Sequence, residues 1–299
     1  MTKKFIVVDG NSVFHRAYHA IPYLSTKNGE TVNAVYGFSS IILRTIAELK
    51  PEKIVVAFDR AAPTFRHIEY EAYKAKRSAP PEDLYPQFPL VKEFLDSSNI
   101  KYFELDGYEA DDLIATIAKK VERDSDEYIY IVSGDRDGLQ LVNSRIRVWA
   151  AGSKVTEGII FDYDKVKERY GVTPDQIITY KSLVGDSSDN IPGVNGIGPK
   201  GAADLINRFG DLEGIYENID QITGGIKQKL IDGKEQAFKA RSLVILDKEV
   251  PFDFECENIP SEINWDGMHE FFKRLEFKSL VAKLPMGVVK KDDNQTKLI

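Results

Sequence analysis

The stretch Phe5-Ile-Val-Val-Asp9 decides the fold, because it places four consecutive apolar residues directly before a carboxylate. A strand that is apolar throughout, rather than at alternate positions, is typical of a parallel sheet buried on both faces. Similar stretches recur in the first half of the chain, at Phe5–Val8, Ile54–Phe58, Lys101–Leu105, Tyr128–Val132 and Ile146–Trp149. Helical patterns separate them, which predicts an α/β fold with a mostly parallel sheet and helices on both faces.

The composition is that of a folded globular protein. The chain has 299 residues, of which 42% are hydrophobic and 29% are charged, and it is long enough to bury a core without disulfides. Its one cysteine cannot form a bridge within the chain, and no apolar run approaches the roughly 20 residues of a membrane helix. We therefore expect a cytoplasmic protein without a membrane partner. The net charge of −7 argues against a generic nucleic-acid-binding protein, unless the acids are concentrated on metal ions.

The sequence changes character near residue 170. Beyond it lie helical segments at 175–184, 199–209, 234–246 and 266–275 and no convincing strand, which predicts a second, all-helical domain. We expect domains at 1–170 and 171–284, followed by a polar tail or linker at 285–299. The region from about 60 to 89 is rich in proline and has little periodicity, and such a long insert in a compact domain is usually functional.

Carboxylates lie where the predicted strands end. They are Asp9, Asp59, Glu109, Asp111, Asp112, Asp135 and Asp137. Because the carboxyl ends of parallel strands face a common crevice, we expect these side chains to converge. Each acid alone has a structural explanation as a helix cap or a turn residue. The whole set does not, because like charges at close range repel strongly unless cations hold them.

The residue types indicate which cation. Oxygen ligands without neighbouring histidine or cysteine favour Mg²⁺ or Mn²⁺ over zinc, and the acids outnumber what one ion uses. A further pair, Asp186 and Asp189, is far from the strands in sequence and has the alternative explanation of a simple cap. If this pair folds back onto the crevice, it completes a second metal position. Two adjacent ions are the usual device for attack of water on a phosphodiester.

Two further segments suit nucleic-acid binding. The run Ile191-Pro-Gly-Val-Asn-Gly-Ile-Gly-Pro-Lys-Gly201 lies between helical segments rather than after a strand, which favours a helix-hairpin-helix over a dinucleotide-binding turn. Its glycines let backbone amides approach a phosphate without reading sequence. The insert interleaves bases with tyrosines, which suits single-stranded nucleic acid, although a solvated loop explains the pattern equally well. The residues of this pattern are Arg60, Arg66, Tyr70, Tyr73, Lys74, Lys76 and Arg77.

The order of the motifs closely resembles that of the bacterial 5′–3′ exonuclease and flap endonuclease family, which includes the N-terminal nuclease domain of DNA polymerase I and stand-alone relatives. The resemblance covers nearly the whole chain, and the common order of the motifs is more specific than any one of them. In chain order they are Val-Asp9-Gly-Asn, Phe58-Asp59-x-x-x-Pro-Thr-Phe-Arg66, Tyr73-Lys74-x-x-Arg77, Tyr108-Glu-Ala-Asp-Asp112, Gly134-Asp-Arg-Asp137, Gly185-Asp-x-x-Asp-Asn190 and Pro192-Gly-Val-x-Gly-Ile-Gly198. The resemblance implies a PIN-like nuclease domain followed by a helix-hairpin-helix domain.

The resemblance also implies roles for the acids and for the insert. A first metal cluster is implied for Asp9, Asp59, Glu109, Asp111 and Asp112, and a second for Asp135, Asp137, Asp186 and Asp189. Lys74 and Arg77 match a basic pair that steadies the scissile phosphate. Tyr73 matches a residue that stacks on a nucleotide at the cleavage site, and the insert resembles an arch for an unpaired 5′ strand.

The hairpin resembles one that holds duplex DNA. DNA contacts are implied for Arg66, Gly193, Gly196, Gly198 and Lys200, and a K⁺ ion is implied on the carbonyls of Val194 and Ile197.

These features lead to one hypothesis and two alternatives. We expect a monomeric 5′–3′ exonuclease and 5′ flap endonuclease that hydrolyses DNA at flaps, nicks and gaps by two-metal-ion catalysis, leaving a 5′-phosphate and a 3′-hydroxyl. It is either a stand-alone enzyme or acts with, or as part of, a DNA polymerase. One alternative is a non-catalytic helix-hairpin-helix DNA-binding module whose acids are structural. The other is a related nuclease that cleaves RNA, because a metal cluster reads phosphate and not the 2′-hydroxyl.

Overall fold

The sheet has the predicted architecture. The computed structural model describes residues 3–77, 79–151 and 158–285. Its main strands are β1 (Lys4–Asp9), β2 (Lys53–Phe58), β3 (Lys101–Glu104), β4 (Tyr128–Ser133), β5 (Ile146–Ala151) and β6 (Gly158–Phe161). They form one sheet in the order β3-β2-β1-β4-β5-β6, in which β1 to β5 run parallel and β6 pairs antiparallel with β5. The prediction of a mostly parallel sheet is confirmed.

The strand order creates a crevice between β1 and β4. The chain runs outward from β1 through β2 to β3 and then crosses back to β4, on the other side of β1. Where connections leave neighbouring strands in opposite directions, a crevice opens at the carboxyl ends, and ligands bind there in open α/β sheets. Asp9 is the last residue of β1, and Asp135 follows β4 by two residues. The topology alone therefore brings these two acids to one edge.

The helices fall into two groups along the chain. The first group accompanies the strands: α1 (Gly10–Ala20), α2 (Asn33–Leu49), α3 (Phe65–Glu69), α4 (Phe88–Ser97), α5 (Ala110–Asp124) and α6 (Tyr163–Tyr170). The second group follows residue 170: α7 (Ile177–Val184), α8 (Pro199–Phe209), α9 (Leu212–Glu217), α10 (Gly224–Asp232), α11 (Lys234–Val244), α12 (Trp265–Arg274) and α13 (Lys278–Val281). Each predicted helical segment after residue 170 overlaps one of these helices, and α12 begins one residue before its predicted segment. No helix within the described residues is long and apolar enough to cross a membrane.

Alternate residues of the buried strands face opposite layers. Phe5 and Val7 pack in a core that includes α5, whereas Ile6 and Val8 pack in a core that includes α1, α2 and α4. All four side chains are fully buried, which explains why the strand is apolar without interruption. The core on the α5 side continues into α8, so the sheet and the second group of helices share it.

The last two helices pack in the core that contains α1, α2 and α4. The ring of Phe94 in α4 lies 5.6 Å, centroid to centroid, from the rings of both Phe271 and Phe272 in α12. Leu280 of α13 belongs to the same core. The final helices of the predicted helical domain at 171–284 therefore pack in the core of the α/β part, and the domain bounds stay a prediction. The predicted tail at 285–299 lies beyond Pro285 outside the described residues.

Two short elements were not predicted. The edge strand β6 is half exposed, and the antiparallel ribbon of β7 (Gly185–Asp186) and β8 (Ile191–Pro192) has only two residues per strand. Neither has the long apolar stretch that identifies the other strands in the sequence.

Candidate active site

Three carboxylates converge at the crevice. Asp9, Asp111 and Asp135 bring one oxygen each within 4.8 Å of the other two. Asp9 caps α1 by accepting from the Ser12 backbone N–H at 2.9 Å, and its second oxygen accepts from the Ser133 hydroxyl at 2.7 Å. Asp111 lies in the first turn of α5, which begins directly below the crevice. A strand end, a helix start and a loop thus fix the three acids independently.

Burial and mutual repulsion disfavour the charged forms of these acids. Desolvation raises the pKa of Asp9 to about 6, and the nearby charge of Asp59 contributes in the same direction. Desolvation and the charge of Asp137 raise the pKa of Asp135 to about 8, and the pKa of Asp111 lies well above its usual value for the same two kinds of reason. Such a group is stable either protonated or around a cation, and its oxygen ligands suit a hard divalent ion.

Asp59 borders the same cleft, which has a volume of about 460 Å³. Its carboxylate accepts from the Ala110 backbone N–H at 2.7 Å, and its own N–H donates to the Asn11 side chain at 2.9 Å. The end of β2 is thereby tied to the starts of both α1 and α5. Lys74 and Arg77 also border this cleft, so bases from the insert face the converging acids.

The insert is closed onto the acids. The Lys74 ammonium donates to Glu109 at 2.7 Å, and the Arg77 guanidinium donates to Asp189 at 2.6 Å. The Tyr73 hydroxyl lies 3.0 Å from Glu109 and 3.1 Å from Asp189. The residue is 4% exposed in this structure, and its stacking on a nucleotide stays a prediction. Tyr73 joins an acid of α5 to an acid of the loop after β7.

A lysine that the sequence analysis did not select joins two other predicted metal ligands. Lys181 of α7 bonds to Asp137, and it donates to Asp186 at 2.8 Å. Although burial acts in the opposite direction, this ammonium lowers the pKa of Asp186 to about 2. Asp186 and Asp189 therefore do fold back towards the crevice, each beside a basic side chain.

Arg66 and Asp112 lie beneath the site rather than on its surface. The side chains are 1% and 0% exposed, and they form a bidentate ion pair with distances of 2.7 and 2.8 Å. Arg66 also donates to the carbonyls of Leu243 and Ile245, each at 2.8 Å. In this structure the Arg66 guanidinium is buried against protein acceptors, and both oxygens of Asp112 accept from it. The DNA contact of Arg66 and the metal-ligand role of Asp112 stay predictions.

The glycine-rich run forms a tight hairpin ahead of α8. A methyl group on Gly193 would approach the Gly185 nitrogen and the Leu183 oxygen to 2.4 Å, so the two chain segments pass each other without room for a side chain. Gly196, Gly198 and Lys200 are exposed at the tip and at the start of α8. Their contacts with DNA stay a prediction.

The predicted K⁺ position is only partly open. The Val194 carbonyl accepts from the Ile197 N–H at 3.0 Å, and the neighbouring Gly196 carbonyl accepts from the Lys229 ammonium at 3.1 Å. An ammonium therefore contacts the hairpin beside the two predicted carbonyl ligands.

An acidic pocket at the switch point of a parallel sheet, faced by bases from an insert, defines a nuclease-type hydrolase that acts on phosphate esters. Residues 4–171 match the family described as 5'-3' exonuclease, N-terminal resolvase-like domain, and residues 172–265 match 5'-3' exonuclease, C-terminal SAM fold. The chain belongs to this 5'-3' exonuclease family.

The curated relatives are longer proteins. DNA polymerase I of Bacillus subtilis (strain 168) is 38% identical over 296 residues, which cover 98% of this chain and 34% of the relative. DNA polymerase I of Caldicellulosiruptor bescii is 39% identical over 289 residues, which cover 96% of this chain and 34% of the relative. The chain spans about a third of the length of these relatives.

Solved structures share the fold. A complex of a bacteriophage T5 flap endonuclease with DNA and metal ions has a TM-score of 0.68 and 22% identity, covering 92% of this chain and 98% of that one. T5 5'-exonuclease with divalent metal ions (zinc) bound has a TM-score of 0.67 and 23% identity, covering 92% and 99%. The catalytic core of Rad2 in complex with a DNA substrate has a TM-score of 0.60 and 17% identity, covering 96% and 93%. The fold of a mostly parallel sheet with helices on both faces is thus common to these proteins.

Proposed function

We propose that this chain is a divalent-metal-dependent 5′–3′ exonuclease and 5′ flap endonuclease that hydrolyses DNA at flaps, nicks and gaps. It uses two ions, Mg²⁺ or Mn²⁺, and leaves a 5′-phosphate and a 3′-hydroxyl. The observation that carries the proposal is the convergence of Asp9, Asp111 and Asp135 at the switch-point crevice. The family membership supports the reaction class. The similar T5 flap endonuclease solved with DNA and metal ions supports the substrate and the cofactor, and the T5 5'-exonuclease solved with zinc supports the cofactor class.

The side chains present fit a hard divalent cation. The group consists of three carboxylates whose pKa values are raised by burial and by neighbouring negative charges, and a divalent cation among them would compensate that charge. A bound ion supplies charge neutralisation and activation of water for attack on phosphorus. Asp59 borders the same cleft and would add a further carboxylate to those that hold an ion there.

The other residues position the substrate and the ligands. We propose that Lys74 and Arg77 bind the scissile phosphate and stabilise its developing charge, which their position at the cleft supports. Tyr73 orients Glu109 and Asp189 through its hydroxyl. Arg66 and Asp112 hold the start of the insert against α5 and the segment after α11. The exposed hairpin tip at Gly196–Lys200 is the surface that we propose for duplex DNA, with a K⁺ ion on its carbonyls.

The partners follow from the relatives. Because the chain spans about a third of DNA polymerase I proteins, we propose that it acts with a polymerase, on the same or on a separate chain. A monomer in the cytosol stays a prediction.

The test is to replace Asp135 and Asp137 together by Asn and to measure cleavage of labelled substrates in Mg²⁺ and in Mn²⁺. The panel comprises a 5′ flap, a nicked duplex, a gapped duplex and an RNA of the same sequence as the flap strand. Asp164→Asn, which changes an exposed acid of α6, is the control. We expect cleavage of the DNA substrates by the wild type and by the control, and a loss of at least about a hundredfold in the double variant.

Three outcomes would contradict the proposal. Cleavage by the double variant at the wild-type rate would mean that these acids do not hold the ions. DNA binding without product, unchanged by EDTA, would identify a non-catalytic binding module. Preferential cleavage of the RNA would show that the substrate is RNA and not DNA.

A further inference from the structure

The predicted metal ligands fall into two sets according to what they contact. Asp9, Asp111 and Asp135 form a compact cluster, in which one carboxylate oxygen of each residue lies within 4.8 Å of the other two. Asp137 and Asp186, in contrast, share one partner, the Lys181 ammonium. The two sets adjoin, because the Asp137 backbone N–H donates to the Asp135 carboxylate at 3.0 Å.

Lys181 is held in place rather than free in solvent. Its side chain is 16% exposed, and the carboxylates of Asp137 and Asp186 are 22% and 14% exposed. It projects from α7, whose Ser182 and Leu183 are buried and which packs against α11. Asp186 is also fixed from its other side, since its second oxygen accepts from the Ser188 backbone N–H at 3.0 Å. The ammonium thus lies between two carboxylates that rigid elements hold apart.

We infer that Lys181 occupies the position of the second cation and must move aside before a divalent ion binds there. This inference rests on the proposed function. An ammonium bonded to both carboxylates takes the place between them that an ion would fill, and two cations in one position repel. In the compact cluster, by contrast, Asp9 accepts from the Ser12 N–H and the Ser133 hydroxyl, and Asp135 accepts from the Asp137 N–H, all of which are uncharged donors. The two ions therefore load in order, the first into the compact cluster and the second in competition with Lys181.

Because Lys181 competes for Asp137 and Asp186, the second site binds a divalent ion more weakly than the same carboxylates would without the lysine. It also keeps Asp137 and Asp186 together while the second ion is absent, because their repulsion is compensated. Removing only the ammonium should therefore have opposite effects on metal affinity and on stability. A lysine that simply contacts DNA would produce neither effect.

The experiment is isothermal titration calorimetry with Mn²⁺, without DNA, on the wild type and on Lys181→Met, Lys181→Gln and Lys181→Arg. Lys165→Met, which removes an exposed lysine of α6, is the matched control. For the wild type we expect one tighter and one weaker ion. For Lys181→Met we expect the weaker step to tighten about tenfold, which corresponds to about 1.4 kcal/mol, while the tighter step is unchanged. Lys181→Arg and Lys165→Met should bind as the wild type does.

Thermal unfolding provides the second readout. Without metal, Lys181→Met should unfold at a lower temperature than the wild type, and Mn²⁺ should raise its midpoint by more than it raises that of the wild type. If Lys181→Met does not fold, Lys181→Gln carries the same expectations. A second affinity that stays the same or weakens in the folded variant would overturn the inference, and so would lower DNA affinity at unchanged Mn²⁺ affinity. Failure of the wild type to bind any Mn²⁺ or to cleave DNA would instead reject the proposed function.

Discussion

Replacement of Arg66 by Met removes the cation from the buried ion pair beneath the site. The guanidinium donates to both oxygens of Asp112 and to the carbonyls of Leu243 and Ile245, all at 2.7 to 2.8 Å. Met has a similar length and no donor, so the variant leaves two carbonyls and a buried carboxylate without this partner. Breaking a buried pair by removing one member costs about 3–5 kcal/mol of the free energy of unfolding, and we expect Arg66→Met to lie in that range.

The assay is equilibrium unfolding in urea, followed by circular dichroism, with the free energy taken from the midpoint and the slope. Arg60→Met is the matched control, because Arg60 bonds to Asp106 at 2.9 Å in a pair whose side chains are 47% and 60% exposed. An exposed pair contributes at most about 1 kcal/mol. The double variant Arg66→Met with Asp112→Leu should recover part of the loss, because no buried charge is left unpaired. Equal losses in Arg66→Met and Arg60→Met would refute this reasoning.

Two further predictions concern the hairpin and the cysteine. Gly193→Ala should lower the free energy of unfolding by about 1–3 kcal/mol, because its methyl group meets backbone atoms at 2.4 Å, whereas Gly198→Ala, with open space around it, should be within about 0.5 kcal/mol of the wild type. Equal thermal midpoints for the two variants would contradict this prediction. Burial raises the pKa of the Cys256 thiol, so less thiolate forms at a given pH and alkylation by iodoacetamide should be slower in the folded protein than in urea at pH 8. Lys53→Met should slow it further, because the Lys53 ammonium lies 3.8 Å from the sulfur, and equal folded and unfolded rates would show that the thiol is unperturbed.

The sequence predicts the sheet and the acids well because both depend on local patterns. An uninterrupted apolar stretch followed by an acid marks each of β1 and β2, and the parallel topology then places Asp9 and Asp59 at one edge. β6 escapes prediction because Ile159 and Ile160 are half exposed, so the stretch is short and lies at the edge of the sheet. The packing of α12 against α4 could not be predicted, because Phe94 and its partner Phe272 are far apart in sequence.

The site contacts that the sequence does not predict share one physical cause. A charge in the sequence does not show whether it faces solvent or another charge. Arg66 is read as a surface base because its partners, Asp112 and two carbonyls, come from other segments. Lys181 is missed because only the turn at Gly185, where φ is +83°, brings Asp186 back onto the lysine five residues earlier. Distant pairing of this kind becomes visible only in the folded chain.

The part of the chain that matches the family models ends before the part that forms the core, because α12 and α13 pack in the core that contains α1, α2 and α4. The second family match ends at residue 265, where α12 begins, yet Phe271, Phe272 and Leu280 lie in the core built on α4. A protein shortened to the matched region would lack Phe271 and Phe272, and the apolar side chains around Phe94 would be exposed to solvent. A truncation or fusion of this chain should therefore place the junction after Leu284, which is buried in that core and is the last such residue in the part of the chain that the structure describes.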